Sequence, residues 1–117
     1  MNTLRNSVQL VGHLGKDPEI SNLAQGKKLA RVSLAYNEFY TTGKGDKISN
    51  THWFNLVAWE STAAYMEKHL AKGNQVMVKG RLSSRTYEDK NGGTRSITEI
   101  IVSEVLKITR EEPASIL

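Results

Sequence analysis

The chain contains no cysteine and only two prolines among its 117 residues. The absence of cysteine excludes disulfide bonds, thiolate metal sites and a cysteine nucleophile. No apolar run approaches the roughly 18 residues that a membrane-spanning helix needs. The segment from Met1 to Arg5 lacks the charged and then apolar pattern of a signal peptide. The length suits a single domain, and we expect a cytoplasmic protein that has no membrane partner.

Motifs of catalysis are also missing. The three histidines, His13, His52 and His69, have no metal-binding spacing, and no pair of carboxylates stands out for acid–base chemistry. The segment from Gly12 to Lys16 ends in Gly-Lys, but it lacks the four-residue gap and the following hydroxyl of a phosphate-binding loop. The sequence therefore predicts a protein that is not an enzyme, with no metal ion and no cofactor.

Positive charge is unevenly distributed along the chain. Sixteen Lys and Arg residues stand against twelve Asp and Glu residues, which gives a net charge of +4. Residues 27–53 carry five bases against two acids, and residues 68–95 carry seven bases against two acids. Such basic blocks indicate a polyanionic partner, although a solvated surface of mixed charge is the alternative interpretation.

Runs rich in Val, Ile, Thr and aromatic residues are separated by glycines, a pattern typical of strands and turns. Gly12 interrupts the first run and predicts a bulge or a bend, and Asn91-Gly92 predicts a hairpin turn. The predicted strands are 7–14, 28–36, 51–59, 75–82 and 96–108.

Residues 61–72 change to a helical period. Ser61 or Thr62 is the predicted N-cap, and Gly73 stands where a C-terminal glycine belongs. The resulting order, β-β-β-α-β-β, predicts an all-β fold: a five-stranded OB-fold barrel with one short helix between its third and fourth strands. Closure into a barrel also removes the exposed edges that an open sheet would leave.

The third predicted strand has two faces of different character. Phe54, Leu56 and Ala58 form the apolar face, which we expect to fill the barrel. Trp53 and Trp59 then point outward, about 20 Å apart at roughly 3.3 Å per residue. Outward indole rings offer a platform on which nucleobases stack regardless of their identity. The alternative is that these rings lie in the core or in a subunit interface.

Basic side chains are interleaved with the aromatic ones. They fall on the outward faces of predicted strands, in the glycine-rich loop 40–50 and around the second hairpin, where Tyr87 lies among them. Cations that follow phosphates and rings that receive bases would suit a single strand of nucleic acid. The candidate phosphate contacts are Arg31, Lys44, Lys47, Lys79, Arg81, Arg85, Lys90 and Arg95.

Five blocks of sequence, in order, resemble the bacterial single-stranded DNA-binding proteins over about residues 5–108. The opening block looks like the family's N-x-V-x-L-x-G-x-L-G-x-D-P-E start, and the next two resemble its second and third strands. The last two resemble its Y-x-x-K-G-x-x-V-x-V-x-G-x-L block. These blocks read NSVQLVGHLGKDPE from Asn6, LARVSLA from Leu29, THWFNLVAW from Thr51, YMEKHLAKG from Tyr65 and QVMVKGRL from Gln75.

The resemblance implies an OB-fold homotetramer, with a dimer as the alternative, that coats single-stranded DNA in replication, recombination and repair. It implies a nucleoid-associated protein without enzymatic activity. Four positions where the family stacks bases are aromatic here, namely Tyr40, Trp53, Trp59 and Tyr87. The segment that pairs subunits in the family corresponds to Asn6, Val8 and Leu10.

The family normally continues into a long linker with an acidic tip that recruits replication and repair proteins, and this sequence shows only 111–117 there. We therefore expect a binding domain at 1–110, a short disordered tail at 111–117, and doubtful recruitment of those proteins. Two alternatives stay open. One is a protein-interaction module of the primosomal-accessory type with the same fold, and the other is RNA in place of DNA.

Overall fold

A computed structural model of the protein describes residues 5–109. The predicted tail at 111–117 lies outside the described residues. Within them the chain forms six strands and one α-helix, with a short 3-10 turn at Ala24–Gly26. In chain order the elements are β1 (Val8–Leu14), β2 (Glu19–Asn22), β3 (Lys28–Thr41), β4 (Lys47–Trp59), α1 (Glu60–His69), β5 (Gln75–Glu88) and β6 (Thr94–Lys107).

Five of the strands close into a barrel. The order in the sheet is β1-β5-β6-β4-β3, and β1 also pairs with β3, which completes the ring. The pairing of β4 with β6 is parallel and the other pairings are antiparallel. With α1 between the third and fourth barrel strands, this arrangement confirms the predicted all-β OB-fold. The short β2, which the sequence did not predict, adds to the outer edge of β3.

Closure of the barrel depends on a close approach at Gly12. β1 pairs with β5 from Val8 to His13 and then with β3 at His13 and Leu14. A Cβ atom on Gly12 would lie 2.3 Å from the backbone oxygen of Ala35 on β3. The predicted irregularity at Gly12 is thus a contact between two backbones, whereas the bulge in the sheet falls at Lys79 and Gly80 of β5.

Strand alternation separates the core from the surface. Most predicted inward residues of β3, β4 and β5 are buried, although Phe54 is only partly buried and packs against the core. The helix α1 closes one end of the barrel with Ala63, Met66 and Leu70. Leu82 was also expected to face inward, but its side chain is exposed, because β5 has left the barrel at that point. The buried strand residues are Leu14, Ala30, Val32, Leu34, Leu56, Ala58, Val76, Val78, Ile100 and Val102.

The helix begins one residue earlier than predicted. Trp59 occupies the N-cap position without a side-chain cap, so the predicted cap at Ser61 or Thr62 is wrong. Glu60 has a φ of 54°, a left-handed conformation that is costly for a residue with a side chain. Its carboxylate accepts a hydrogen bond from the Lys28 backbone N–H at 3.1 Å, which fixes this turn against β3.

The helix also ends earlier, at His69 with Leu70 as its C-cap. The predicted position of Gly73 as the terminal glycine is therefore wrong. Gly73 lies in the following turn with a φ of 88°, and its N–H donates to the Leu14 carbonyl at 2.9 Å. This bond ties the exit from the helix to the end of β1.

Two hairpins extend well beyond the barrel. β3 and β4 pair as far as Thr41 with Lys47, so the predicted loop 40–50 shrinks to residues 42–46. β5 and β6 pair as far as Glu88 with Thr94, so Asn91-Gly92 lies within a five-residue loop. We call residues 36–52 the first arm and residues 84–98 the second arm. Since β4 and β6 are parallel and each begins at its hairpin tip, both arms project from the same end of the barrel.

Replacement of Gly12 by alanine tests the closure of the barrel. The added methyl group would meet the Ala35 carbonyl oxygen, and overpacking of this kind costs roughly 1–3 kcal/mol of unfolding free energy. Gly43→Ala is the matched control, because nothing lies within 4 Å of a Cβ there. Urea unfolding of both variants measures the difference. Equal stability of the two variants would show that the contact at Gly12 does not constrain the fold.

Candidate nucleic-acid interface

The proposed site is built on the outer face of the strands β3, β4, β6 and β5. Pairing of β4 with β6 makes this face continuous, because Asn55 lies beside Glu99 and Val57 beside Ile101. Ser33 on β3 pairs with Asn55, and Ser83 on β5 pairs with Glu99, so one row of side chains crosses all four strands. The two arms continue the same face beyond the barrel, and we call the whole surface the outer face.

Both tryptophans lie on the outer face, as the alternation in β4 predicted. Trp53 is 61% exposed and Trp59 is 42% exposed, while Leu56 and Ala58 between them are buried in the barrel. A Cβ on Gly15 would lie 2.6 Å from Cζ3 of Trp53, so the bare backbone of Gly15 leaves room for the indole ring. Trp59 is placed by the turn into α1, at the far end of the same strand face.

The other two aromatic candidates lie on the arms. Tyr87 is on the outer face of the second arm, opposite Arg95 on β6. The Arg85 guanidinium carbon lies 5.9 Å from the centroid of the Tyr87 ring, a cation–π distance. Tyr40 is exposed, but strand alternation puts it on the reverse side of the first arm from Trp53. The structure thus brings three of the four predicted stacking residues onto one face.

Phe39 was missed by the sequence analysis. It is 75% exposed, and alternation along β3 places it on the same side of the first arm as Trp53. The position of Phe39 follows from the register of β3 with β4, because Ala35 pairs with Trp53 and Phe39, four residues further along β3, pairs with Ser49 on the same side. This register was not visible while residues 40–50 were interpreted as a loop.

Four of the eight predicted phosphate contacts already have an acidic partner. Arg31 and Arg85 both contact Glu99 at 3.3 and 3.2 Å. Arg95 contacts Asp89 at 2.9 Å, and Lys79 lies 4.0 Å from Glu104. Within residues 5–109 no carboxylate lies within 4 Å of the other four, which are Lys44, Lys47, Arg81 and Lys90.

The arm tips are held by side-chain bonds to backbone N–H groups. The Thr42 hydroxyl accepts from the N–H groups of Lys44 and Asp46 at 3.3 and 3.2 Å. At the second tip the Asp89 carboxylate accepts from Asn91 and Gly93, both at 2.9 Å. The ion pair with Arg95 and these two backbone bonds lower the pKa of Asp89 below its usual 3.8. Each tip therefore presents its lysine on an ordered loop.

The residues predicted to pair subunits have contacts within the chain. The Asn6 amide donates to the Leu82 carbonyl at 3.1 Å and accepts from the Leu82 N–H at 2.8 Å. Val8 and Leu10 are partly buried and pack against the core, so their side chains face inward. A role for this segment in an interface stays a prediction. β1 presents Gln9 and Val11 outward, and both are exposed.

An exposed apolar row on the other side of the barrel was also missed. Val11 pairs with Met77, and Met77 pairs with Leu106, so the three side chains lie side by side across β1, β5 and β6. All three are exposed, and Leu106 is 59% exposed. The sequence signal was present in the alternation, but the run of Ile and Val in the last strand concealed which face was outward.

Two of the three histidines, His52 and His69, take part in ordinary side-chain contacts. His52 lies 3.3 Å from a Glu38 oxygen and stacks on Tyr36, and His69 packs on Tyr65 at 4.7 Å between ring centroids. Over residues 5–109 no three His, Cys, Asp or Glu side chains are grouped as metal ligands would be. Over the same range the one α-helix has neither the length nor the apolar character to cross a membrane.

Comparison with known proteins agrees with this geometry. The model of the single-strand binding protein family matches residues 5–108. The chain is 37% identical over 101 residues to single-stranded DNA-binding protein 1 of Chlorobaculum tepidum, which covers 86% of this chain. It is 32% identical over 100 residues, again 86% of the chain, to a single-stranded DNA-binding protein of Neisseria meningitidis. A solved structure, described as a Plasmodium falciparum SSB complex with ssDNA, superposes with a TM-score of 0.81 at 33% identity.

The chain belongs to the single-strand binding protein family. The structural match covers 89% of this chain and 95% of the Plasmodium falciparum chain. The match to the two bacterial relatives spans only 62% and 58% of their lengths. The family resemblance expected from the sequence blocks is thereby confirmed.

Acid titration tests the role of Asp89 in the second tip. The pKa of Asp89 is lower in the folded protein than the value of 3.8 for the unfolded chain. Ionised Asp89 therefore stabilises the folded state fully above pH 3.8, and this stabilisation is lost as the pH falls through the lower folded pKa. We expect the amide NMR signals of Asn91 and Gly93 to shift with a midpoint below 3.8. Asp89→Asn removes this titration. A midpoint at or above the unfolded value would contradict the assigned contacts.

Proposed function

We propose that this chain binds single-stranded DNA without sequence preference. The observation that carries the proposal is the pair of exposed tryptophans, Trp53 and Trp59, on a face flanked by two arms that carry lysines at or near their tips. Membership of the single-strand binding protein family and the DNA complex of the Plasmodium falciparum relative support it. Bases stack on the rings, and cationic side chains contact the phosphates.

Stacking supplies the affinity that does not depend on base identity. Each stacked base contributes roughly 1–3 kcal/mol, as judged by alanine substitution in proteins of this kind. Trp53, Trp59 and Tyr87 lie on the outer face, and we add Phe39 because of its exposure on the same side. Tyr40 would receive a base on the reverse side of the first arm. Duplex DNA competes poorly in this scheme, because its bases are already stacked on one another.

Phosphate contacts supply the salt-dependent part of the affinity. For single strands the slope of log K against log salt is about −0.7 for each phosphate neutralised. Three lysines have no acidic partner within 4 Å among the described residues. They are Lys44 and Lys90 at the two tips and Lys47 at the start of β4. These lysines are therefore the strongest candidates for contact with phosphates.

The proposed cellular role is to coat exposed strands during replication, recombination and repair, in the nucleoid of the cytoplasm. The proposed binding domain is 1–110, which includes all the elements described above. The family match, the exposed aromatic face and the lysines of the two arms favour this role over a protein-interaction module.

We further propose that the chain assembles into a homotetramer. The row of Val11, Met77 and Leu106 supports this assembly, because three adjacent exposed apolar side chains on one sheet face indicate an interface. The segment of Asn6, Val8 and Leu10 would pair subunits through its backbone, since its two apolar side chains face the core.

Alanine substitution at each tryptophan tests the stacking surface. Trp53→Ala and Trp59→Ala should each weaken binding of a thymidine oligomer of about 35 bases by roughly 1–3 kcal/mol, which is about fivefold to 150-fold. Quenching of the remaining tryptophan, measured at two salt concentrations, reports the binding. Leu23→Ala is the control, because Leu23 is similarly exposed but lies between β2 and β3, outside the strands that form the outer face.

Two results of that titration would count against the proposal. Unchanged affinity in both tryptophan variants would show that bases do not stack on Trp53 and Trp59. No quenching of the unmodified protein at low salt would instead favour the protein-interaction module. A duplex of the same length serves as the negative control, and an RNA oligomer distinguishes the two nucleic acids.

Introduction of a negative charge into the apolar row tests the assembly. Leu106→Glu should shift the sedimentation mass toward smaller species, since a charge buried in an interface without a partner is costly. Leu23→Glu introduces the same charge at an exposed leucine away from the row and should leave the mass unchanged. An unaltered mass for both variants would place the interface elsewhere.

A further inference from the structure

Glu99 is the one buried charged side chain among residues 5–109, with 5% of its surface exposed. It lies on β6 in the middle of the outer face, beside Asn55 on β4 and Ser83 on β5. This is the point where β4 and β6 separate and the two arms begin. A carboxylate at the centre of a face proposed to bind a polyanion requires a physical explanation, because it repels phosphate.

Two arginines neutralise this carboxylate. Arg31 Nη1 donates to Glu99 Oε2 at 3.3 Å, and Arg85 Nε donates to Glu99 Oε1 at 3.2 Å. Arg31 starts on β3, so its side chain crosses β4 to reach β6, whereas Arg85 reaches Glu99 from the adjacent strand β5. Each carboxylate oxygen accepts a hydrogen bond from one guanidinium group. Glu99 therefore links a side chain of the β3–β4 hairpin to one of the β5–β6 hairpin.

This arrangement has the form of an occupied anion site. Each of the two carboxylate oxygens accepts a hydrogen bond from a separate guanidinium group. Two arginines would hold the two non-bridging oxygens of a phosphodiester in the same way. Beside the carboxylate lies a cavity of about 180 Å³, which Ser33 and Asn55 also line. The other charged groups that line it, Lys16 and Glu19, form their own ion pair at 3.2 Å.

We propose that Glu99 acts as an internal substitute for phosphate on the outer face. It holds Arg31 and Arg85 in place and competes with the DNA backbone for them, so a phosphate gains little by approaching this point. The proposal rests on the proposed binding of single-stranded DNA. At the centre of the face the strand is then held by its bases, on Trp53 and Trp59, and its phosphates are left to the lysines of the arms.

The consequence of this arrangement is a complex that releases its strand readily. Two guanidinium groups free to contact phosphates would add to the affinity and slow dissociation. Glu99 reduces that contribution by one charge without removing the arginines, whose side chains stay about half exposed at 45% and 46%. Glu99 is therefore a positioning residue that limits the electrostatic part of binding.

The test compares Glu99→Gln with Glu104→Gln. Both variants remove one negative charge from β6, but Glu104 is exposed, lies on the same side of β6 as Leu106 and away from the outer face, and is 4.0 Å from Lys79 only. We expect Glu99→Gln to bind a thymidine oligomer about fivefold more tightly than Glu104→Gln at moderate salt. We also expect its salt slope to be steeper by about 0.7 for each additional phosphate that the freed arginines neutralise. Its dissociation rate in a competitor chase should fall by a similar factor.

Equal affinity and equal slope in the two variants would overturn the proposal, as would weaker binding by Glu99→Gln. Thermal unfolding of both variants checks that the fold is intact, since a purely structural role would lower the melting temperature without changing the salt slope. The unmodified protein in the same titration separates the two questions. If it fails to bind, the proposed function is wrong, whatever Glu99 does.

A second comparison keeps the test valid if Glu99→Gln is unstable. With Glu99 present, Arg31→Gln and Arg85→Gln should each reduce the salt slope by clearly less than Lys47→Gln, which removes an unpaired cation. Equal reductions in all three variants would show that the arginines contact phosphates despite Glu99, and would overturn the proposal.

Discussion

The parallel pairing of β4 with β6, which covers only three residues on each strand, is the contact on which the rest of the structure depends. It joins the two hairpins that make up most of the chain, and without it the barrel would open between them. Because the pairing is parallel, the hairpins point the same way beyond it. One short ladder therefore determines the closed core, the continuous outer face and the common direction of the arms.

The same strand, β4, divides structural from functional residues. Leu56 and Ala58 fill the barrel, while Trp53 and Trp59 lie on the opposite side of the strand. A change of register by one residue would reverse these roles. The register of β4 is set by its thirteen paired positions with β3, while β1 and β3 at Gly12, and β5 and β6 at Gly80, approach so closely that neither position has room for a Cβ atom. The precision of the barrel is thus what keeps the aromatic rings outside it.

The barrel was predictable from the sequence because alternation in a half-buried strand is a local property. The inward residues of β3, β4 and β5, apart from Leu82, followed from it. The turn at Asn91-Gly92 was predictable, but the extension of both hairpins into arms was not, because a two-stranded ribbon exposed on both sides has no apolar period to detect. Phe39 was missed for that reason, and β2 was too short to give a signal. Glu99 lies 68 positions from Arg31, so only the folded structure could show that they meet.

The predicted site residues fall into groups that the sequence could not separate. Arg31, Arg85 and Lys44 all look alike as basic residues among aromatic ones, but the first two share a buried carboxylate and the third stands at an arm tip. Similarly, Val8 and Leu10 were assigned by resemblance to an interface, and their side chains face the core. Their roles in binding and assembly stay predictions.

The first arm has no interior of its own. Beyond the barrel it is a ribbon of two strands, and a two-stranded hairpin in isolation is only marginally stable in water. Its order is therefore inherited from the barrel, and the free energy needed to open it locally falls from Trp53 toward the tip. Lys44 and Lys47 lie where opening is easiest, so these cations can follow the path of a bound polymer while the closed barrel keeps its shape.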